Sequence, residues 1–235
     1  MHKTHLFFDL DNTLTRSRSP ITQHMRERLS LLAQKKDVIV ISGQTMESIL
    51  TQTGHVLPMY TMGQSGNRTA YIAANGEVTE LWHDTLSKEE RADILAHIHS
   101  LPTPENVPDT EDLVEDRGSQ ISYSLYGHHA PIEKKEVIDP QQEIRAALLA
   151  AHPLHSGTVE VKIAGTTCLD YVKKGRHKGH NIERLLKEKK WSREDCVYFG
   201  DALFPGGNDE TVLGVLETIA VLNPEDTYRK LERFV

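Results

Sequence analysis

Asp9 and Asp11 stand two residues apart, directly after an apolar run near the start of the chain. The run predicts a buried strand from Leu6 to Leu10, which places both aspartates at the sheet edge where open α/β sheets bind ligands. One carboxylate of such a pair can attack phosphorus while the other carries the proton of the leaving oxygen. Two anions facing an anionic substrate also need a cation, and Mg²⁺ is the expected ion. The pair therefore indicates phosphoryl transfer, although a turn after a strand also favours Asp without any chemistry.

A second predicted strand, Val38 to Ile41, runs directly into Ser42 and Gly43, after which Thr45 can begin a helix. A hydroxyl and backbone N–H groups at a helix N-terminus can hold a phosphate. The alternative is an ordinary turn after a strand.

Lys178 begins a predicted helix that extends to Lys190 and repeats apolar residues with helical spacing. An ammonium group at this point could neutralise both the aspartate and the phosphate. The alternative is a solvated lysine at the start of a helix.

A third predicted strand, Cys196 to Phe199, leads into a glycine-rich loop that carries acidic residues. Asp201 is placed to complete a metal site. Asn208 and Asp209, at the end of the loop, could orient that site through hydrogen bonds.

These four segments, in this order, resemble the four motifs of the haloacid dehalogenase superfamily. The resemblance implies that Asp9 is the nucleophile and Asp11 the general acid and base. It also implies two sets of ligands: Ser42, Gly43 and Lys178 for phosphate, and Asp9, Asp201 and the backbone carbonyl of Asp11 for Mg²⁺.

The long interval between Ser42 and Lys178 implies, within that superfamily, an inserted cap domain of the kind found in subfamily IIB. The expected fold is therefore an α/β protein with a Rossmann-like parallel-sheet core and an inserted α+β cap. The expected domains are a catalytic core, residues 1–83 and 174–235, and a cap that selects the substrate, residues 84–173.

The loop from 200 to 209 is similar to that of eukaryotic-type phosphomannomutases, as are the segment from Asp9 with Arg18 and the turn at 74–76. Sugar-phosphate phosphatases are the other related group. The mutase resemblance implies cap arginines that grip a distal phosphate, and Arg117 stands where one is expected. His128 stands in place of the second, and Lys162 departs from the mutase pattern on a later cap strand.

A mutase must hold a bisphosphate at both ends, whereas a phosphatase needs one phosphate site and a route for water. An imidazole that is mostly neutral near pH 7 grips phosphate more weakly than a guanidinium does. We therefore expect a phosphatase acting on a phosphosugar. The candidate substrate residues are Arg18 in the core and Arg117, His128 and Lys162 in the cap. The alternatives are a phosphomannomutase-type isomerase and a binding module without turnover.

Patterns elsewhere predict the elements that position these residues. Ser19 with Pro20 is expected to begin the first helix. Asp139 with Pro140 is expected to begin a later helix, which ends near Ala151. Strands alternate with helices in the first part, which favours a parallel sheet covered on both faces. In the middle, two helices on one face of an antiparallel sheet are expected to form a lid that excludes water.

Composition limits the possible partners. The 235 residues carry a net charge of −7 and no basic run, so nucleic acid is not expected as a partner. No stretch has the roughly 20 apolar residues that span a bilayer, and no leader pattern precedes the first strand, so we expect a cytoplasmic enzyme without a membrane partner. A monomer and a homodimer both remain open.

Overall fold

The chain folds into two compact units, which are described separately. The structure, a computed structural model, describes residues 3–105 and 107–235. The core unit comprises the chain up to His83 together with His177–Val235, and the inserted unit comprises Asp84–Arg176. Across the described residues, no helix is both long enough and apolar enough to cross a membrane.

The core unit contains a seven-stranded sheet with the order β11-β10-β1-β2-β3-β4-β5. Its strands are β1 (His5–Phe8), β2 (Asp37–Ile41), β3 (Met59–Gly63), β4 (Arg68–Ile72), β5 (Val78–His83), β10 (Cys196–Gly200) and β11 (Glu217–Ala220). Its helices are α1 (Gln23–Ala33), α2 (Met46–Gln52), α6 (Lys178–Lys189) and α7 (Pro224–Lys230).

Both faces of this sheet are covered, because successive side chains on a strand point to opposite faces. Phe8 packs with α1, α2 and the C-terminal residues on one face. Phe7 packs with Ile182 and Leu185 of α6 on the other. The predicted α/β core is therefore confirmed, with a layer of helices on each side of the sheet.

The edge of this sheet differs from the expectation. Strands β11, β10, β1, β2 and β3 are parallel, whereas β4 and β5 are antiparallel and close the sheet. The sheet is thus mixed rather than wholly parallel. The turn at Asn75 and Gly76, where Gly76 has a φ of 84°, joins β4 directly to β5 without a crossover helix.

The inserted unit is an antiparallel sheet with helices on one face. Its strands, in the order β6-β7-β9-β8, are β6 (Val114–Asp116), β7 (Gln120–Ser124), β8 (Val159–Ala164) and β9 (Cys168–Lys173). Its helices are α3 (Lys88–Ser100), α4 (Ile132–Lys135) and α5 (Glu143–Ala151). Side chains of α3 and α5 pack against Tyr123 and Tyr171 on one face of the sheet, as expected. The opposite face is polar.

Two predicted helix starts are wrong. The first helix begins at Gln23, with Thr22 rather than Ser19 as its N-cap. The hydroxyl of Thr15 donates to the carbonyls of Ser19 and Pro20 and holds that segment in a turn.

The helix expected from Asp139 begins at Glu143. Gln142 has a left-handed backbone with a φ of 61°, so the turn cannot continue the helix backwards. The carboxylate of Asp139 instead accepts hydrogen bonds from the backbone N–H groups of Ile144 and Arg145. The acid therefore caps this helix from a distance.

Candidate active site

Three motif residues meet at one edge of the core sheet. Strands β2, β1 and β10 are adjacent and parallel, and Asp9, Ser42 and Asp201 each lie just beyond the carboxyl end of one of them. The backbone N–H of Asp9 donates to the carbonyl of Phe199. Parallel pairing thus gathers residues that are far apart in sequence.

Lys178, the first residue of α6, joins two of the acids. Its Nζ lies 2.5 Å from Oδ1 of Asp9 and 2.7 Å from Oδ1 of Asp209. All three side chains are almost fully buried, and the hydroxyl of Tyr198 donates to the same Asp209 oxygen at 2.6 Å. A lysine buried in this way depends on the carboxylates for its charge, and they depend on it.

Electrostatics in this cluster follow from burial. Burial raises the pKa of Asp9 well above its ordinary value, Lys178 opposes that shift, and other carboxylates add to it. Burial, followed by the charge of Asp209, raises the pKa of Asp201 to about 6. Burial alone would lower the pKa of Lys178, but Asp209 and Asp9 raise it overall. The site therefore holds more negative charge than its lysine neutralises.

Oxygen atoms of Asp9, Asp201 and Asp209 lie within 4.8 Å of one another, as the ligands of one cation do. In the described part of the chain, two buried oxygens have no hydrogen-bond partner: Oδ2 of Asp9, and Oδ1 of Asn208, the residue before Asp209. Carboxylate and amide oxygens are the ligands that Mg²⁺ prefers. The oxygens of Asp9 and Asp201 fit a magnesium ion. Both oxygens of Asp209 already accept hydrogen bonds, Oδ1 from Lys178 and Tyr198 and Oδ2 from the backbone N–H of Ala202.

The carboxylate of Asp11 is held at both oxygens. Nε2 of Gln44 donates to Oδ2 at 2.7 Å, and the backbone N–H of Arg18 donates to Oδ1 at 2.9 Å. The side chain of Arg18 is exposed. Arg18, expected as a substrate ligand, thus contributes its backbone to the orientation of Asp11.

The phosphate-binding candidates of the second motif lie in the turn before α2. Ser42 is buried, and its Oγ accepts a hydrogen bond from the backbone N–H of Gln44 at 3.1 Å. Thr45 is the N-cap of α2, as predicted, and Gly43 lies between Ser42 and Gln44.

The loop after β10 depends on small residues. A Cβ atom added to Gly200 would overlap the carboxylate of Asp209, and one added to Gly207 would overlap the carbonyl of Ala202. The backbone N–H of Asp209 donates to that carbonyl at 3.2 Å. These contacts make the loop compact, and they bring a carboxylate oxygen of Asp209 within 4.8 Å of one of Asp201.

The polar face of the inserted unit carries a row of side chains across all four strands. The strand register pairs Glu115 with Ser122, Ser122 with Asp170, and Asp170 with Lys162. Residues that are directly opposite share a face of the sheet. Oγ of Ser122 donates to Oδ1 of Asp170 at 2.6 Å. Lys162 therefore lies beside a carboxylate that is already hydrogen-bonded.

Arg117 and His128 both contact Glu115. The guanidinium of Arg117 lies 2.6 Å from Oε2 of Glu115, and Nδ1 of His128 lies 3.4 Å from the same atom. Nε2 of His128 faces the carbonyl of Ser122 at 3.1 Å. Both ring nitrogens of His128 therefore face oxygen acceptors.

Sequence reasoning missed three residues of these sites. Gln44 contacts Asp11, and Tyr198 contacts Asp209. The third residue, Gln120, lies on the polar face and is fully buried, and its amide N and O have no hydrogen-bond partner among the residues that the structure describes. Tyr198 reads as a core residue of an apolar strand. The spacing of four between Gln44, Ser48 and Gln52 was the available signal for Gln44.

Comparison with known proteins extends over nearly the whole chain. The model of a family described as haloacid dehalogenase-like hydrolase matches residues 6–223. The phosphomannomutase of Encephalitozoon cuniculi is 24% identical over 244 residues, which cover 98% of this chain and 93% of that protein. The phosphomannomutase of Saccharomyces cerevisiae is 26% identical over 241 residues, which cover 97% and 93%.

Solved structures share the fold at low sequence identity. A haloacid dehalogenase-like hydrolase from Bacteroides thetaiotaomicron superposes with a TM-score of 0.61 at 15% identity and covers 99% of this chain and all of that one. An IMP-bound IMP-nucleotidase from Plasmodium falciparum gives a TM-score of 0.66 at 15% identity and covers 98% of this chain and 67% of that one.

Proposed function

Because the chain belongs to the haloacid dehalogenase-like hydrolase family, we propose that it is a Mg²⁺-dependent phosphatase of a phosphorylated sugar or a similar small metabolite. The observation that carries the proposal is the state of the Asp9 carboxylate. Lys178 holds Oδ1 at 2.5 Å, while Oδ2 is buried and has no hydrogen-bond partner among the described residues. A carboxylate oxygen that is desolvated and fixed in direction is a suitable nucleophile.

The reaction proceeds in two steps on this chain's residues. An oxygen of Asp9 attacks phosphorus, the bond between phosphorus and the leaving oxygen breaks, and Asp11 gives that oxygen its proton. Water then attacks the aspartyl-phosphate, Asp11 takes a proton from the water, and inorganic phosphate leaves with the Asp9 carboxylate restored. Lys178 balances the charge of Asp9 and of the phosphoryl group in both steps.

Asp9 and Asp201 would hold the magnesium ion, together with the backbone carbonyl of Asp11, and Asp209 would support them through its contact with Lys178. The ion would supply positive charge to the phosphoryl oxygens, which the crowded carboxylates of the site otherwise repel. The raised pKa values of Asp9 and Asp201 show that burial and neighbouring charge disfavour their ionised forms. Because carboxylates bind metal in the ionised form, a bound magnesium ion would keep both acids ionised.

The inserted unit is proposed to select the substrate, and its charge balance favours a monophosphate. Arg117 and His128 are both paired with Glu115, and Asp170 also raises the pKa of Arg117. A second phosphate would have to compete with the Glu115 carboxylate for these two side chains, at a cost in desolvation. Gln120 adds a neutral donor and acceptor suited to sugar hydroxyls.

A phosphomannomutase-type isomerase is the second candidate. It is supported by the names of the relatives in Encephalitozoon cuniculi and Saccharomyces cerevisiae, which match this chain along more than nine-tenths of its length. Both candidates use the same phosphorylated aspartate and differ in what accepts the phosphoryl group next.

Phosphorus NMR of the purified protein distinguishes the two. The protein is incubated with Mg²⁺ and a panel of hexose monophosphates, with and without a hexose bisphosphate, and Asp9→Asn is the control. A phosphatase releases inorganic phosphate and loses that activity in Asp9→Asn. Interconversion of 1- and 6-phosphates without phosphate release would reject the phosphatase and support the isomerase.

A further inference from the structure

Three polar side chains form a chain of hydrogen bonds that ends on Asp11. Gln44 lies one residue before the N-cap of α2, and Ser48 and Gln52 follow within the helix at intervals of four residues, the spacing that places side chains on one side of a helix. Oε1 of Gln44 accepts from Oγ of Ser48 and from Nε2 of Gln52, each at 2.5 Å. Nε2 of Gln44 then donates to Oδ2 of Asp11 at 2.7 Å.

This arrangement fixes which end of the Gln44 amide faces Asp11. An ionised carboxylate only accepts hydrogen bonds, and the amide N–H₂ group of Gln52 only donates them. If the Gln44 amide were turned over, its oxygen would face the Asp11 carboxylate and its N–H₂ group would face that of Gln52. Ser48 and Gln52 therefore set the orientation of the donor that Asp11 receives.

The cluster does more than satisfy buried amides. Gln44 and Gln52 are each 7% exposed, yet within residues 3–105 and 107–235 the buried Oε1 of Gln52 has no hydrogen-bond partner. A buried unsatisfied oxygen costs about 1–3 kcal/mol. A cluster selected for stability alone would not keep an amide at Gln52, since an apolar side chain would avoid this cost.

We propose that Gln44 is a positioning residue for the proton transfers of Asp11, with Ser48 and Gln52 as its support. With the N–H of Arg18 on Oδ1 and Gln44 on Oδ2, both oxygens are fixed, so the carboxyl group cannot rotate about its bond to Cβ. The inference rests on the proposed function, in which Asp11 protonates the leaving oxygen. It predicts that Gln44 matters most for substrates whose leaving group needs that proton.

The test compares two substrates in two variants. Gln44→Met keeps the size of the side chain and removes the donor, while Gln44→Glu keeps the acceptor for Ser48 and Gln52 but turns a carboxylate toward Asp11. Gln34→Met, at an exposed position, is the control. The rate constant kcat/KM is measured for a hexose 6-phosphate, whose alkoxide leaving group needs a proton, and for p-nitrophenyl phosphate, whose phenolate does not.

We expect kcat/KM for the hexose phosphate to fall about 10- to 100-fold in Gln44→Met, as misplaced catalytic groups do. The p-nitrophenyl phosphate value should change much less, and Gln44→Glu should be at least as impaired as Gln44→Met. Equal losses on both substrates, or full activity in Gln44→Glu, would show a structural role only and overturn the inference.

If the wild type hydrolyses neither substrate, the proposed phosphatase function is rejected. The positioning role of Gln44 is then tested by a crystal structure of Gln44→Met. A rotated or disordered Asp11 carboxyl group in an otherwise unchanged core unit supports the positioning role. An Asp11 carboxyl group in its wild-type orientation contradicts it.

Discussion

Replacing Lys178 by methionine tests the charge balance of the site. The ammonium group lies between Asp9 and Asp209, at 2.5 and 2.7 Å, and all three side chains are at most 3% exposed. Methionine retains most of the packing but leaves two buried carboxylates without their cation. Removing one partner of a buried ion pair costs about 3–5 kcal/mol, which we expect for Lys178→Met near neutral pH in the presence of a chelator.

The cost should depend on pH. Burial already raises the pKa of Asp9, and loss of Lys178 removes the main opposing influence. Asp9 can therefore take up a proton in the variant, and this relieves the repulsion. The destabilisation should shrink as the pH falls toward 5 and grow as it rises toward 8.

The assay is urea unfolding followed by tryptophan fluorescence. Both tryptophans, Trp82 and Trp191, lie in the core unit, so the signal reports on the unit that contains the site. A loss of 3–5 kcal/mol corresponds to a fall in Tm of roughly 6–20 °C for a chain of this size. Lys187→Met, at an exposed position on the same helix, is the matched control.

Two further results bear on this prediction. Asp209→Asn combined with Lys178→Met should be less destabilised than Lys178→Met alone, because one unpaired carboxylate is gone. Added Mg²⁺ should stabilise Lys178→Met more than the wild type. A change below about 1 kcal/mol in chelator at pH 7.5, comparable to that of Lys187→Met, would refute the charge argument.

The remaining predictions concern individual contacts. The pKa of Asp201 is raised from 3.8 to about 6, so its contribution to the free energy of unfolding without metal is full below about pH 4 and is lost as the pH rises through 6. Urea titrations in chelator should show that slope in the wild type and not in Asp201→Asn; parallel curves would contradict it. Tyr198→Phe removes a 2.6 Å hydrogen bond to Asp209 and should lower the free energy of unfolding by about 1.5–3 kcal/mol in the same fluorescence assay. An unchanged urea midpoint would mean that this bond does not stabilise the protein. Arg145→Met should cost about 3–5 kcal/mol, measured by proteolytic susceptibility of the inserted unit, because the buried guanidinium pairs with Asp139; wild-type resistance would oppose this.

The elements that carry the motifs could be predicted because their signals are local. An apolar run followed by Asp9, by Ser42 or by Gly200 marks a strand end in each case, and all three occur in the structure. A capping box likewise marks the start of α3, where the side chain of Ser87 accepts from the backbone N–H of Glu90 and that of Glu90 from the backbone N–H of Ser87. Short-range hydrogen bonding and side-chain period are enough to read such features.

Other features depend on particular side-chain contacts that residue types and spacing do not predict. The hydroxyl of Thr15 donates to the carbonyl of Ser19 and holds it in a turn, so no helix starts there. The sequence pattern does not predict this hydrogen bond. The hydrogen bond from Gln44 to Asp11 joins residues 33 positions apart. The pairing of Arg117 with Glu115, two residues away, depends on how the strand turns toward its neighbour. The sequence predicts residue types at the site but not which of them neutralise one another.

Phosphorylation of Asp9 is the most direct test of the central claim, and Asp11→Asn is the variant in which to measure it. With p-nitrophenyl phosphate the leaving group needs no proton, so Asp9 should be phosphorylated while the second step, which lacks its base, is slow. Acid quenching, borohydride reduction and peptide mass analysis should then find homoserine in place of Asp9. A phosphorylated residue elsewhere, or turnover with Asp9 unmodified, would contradict the account.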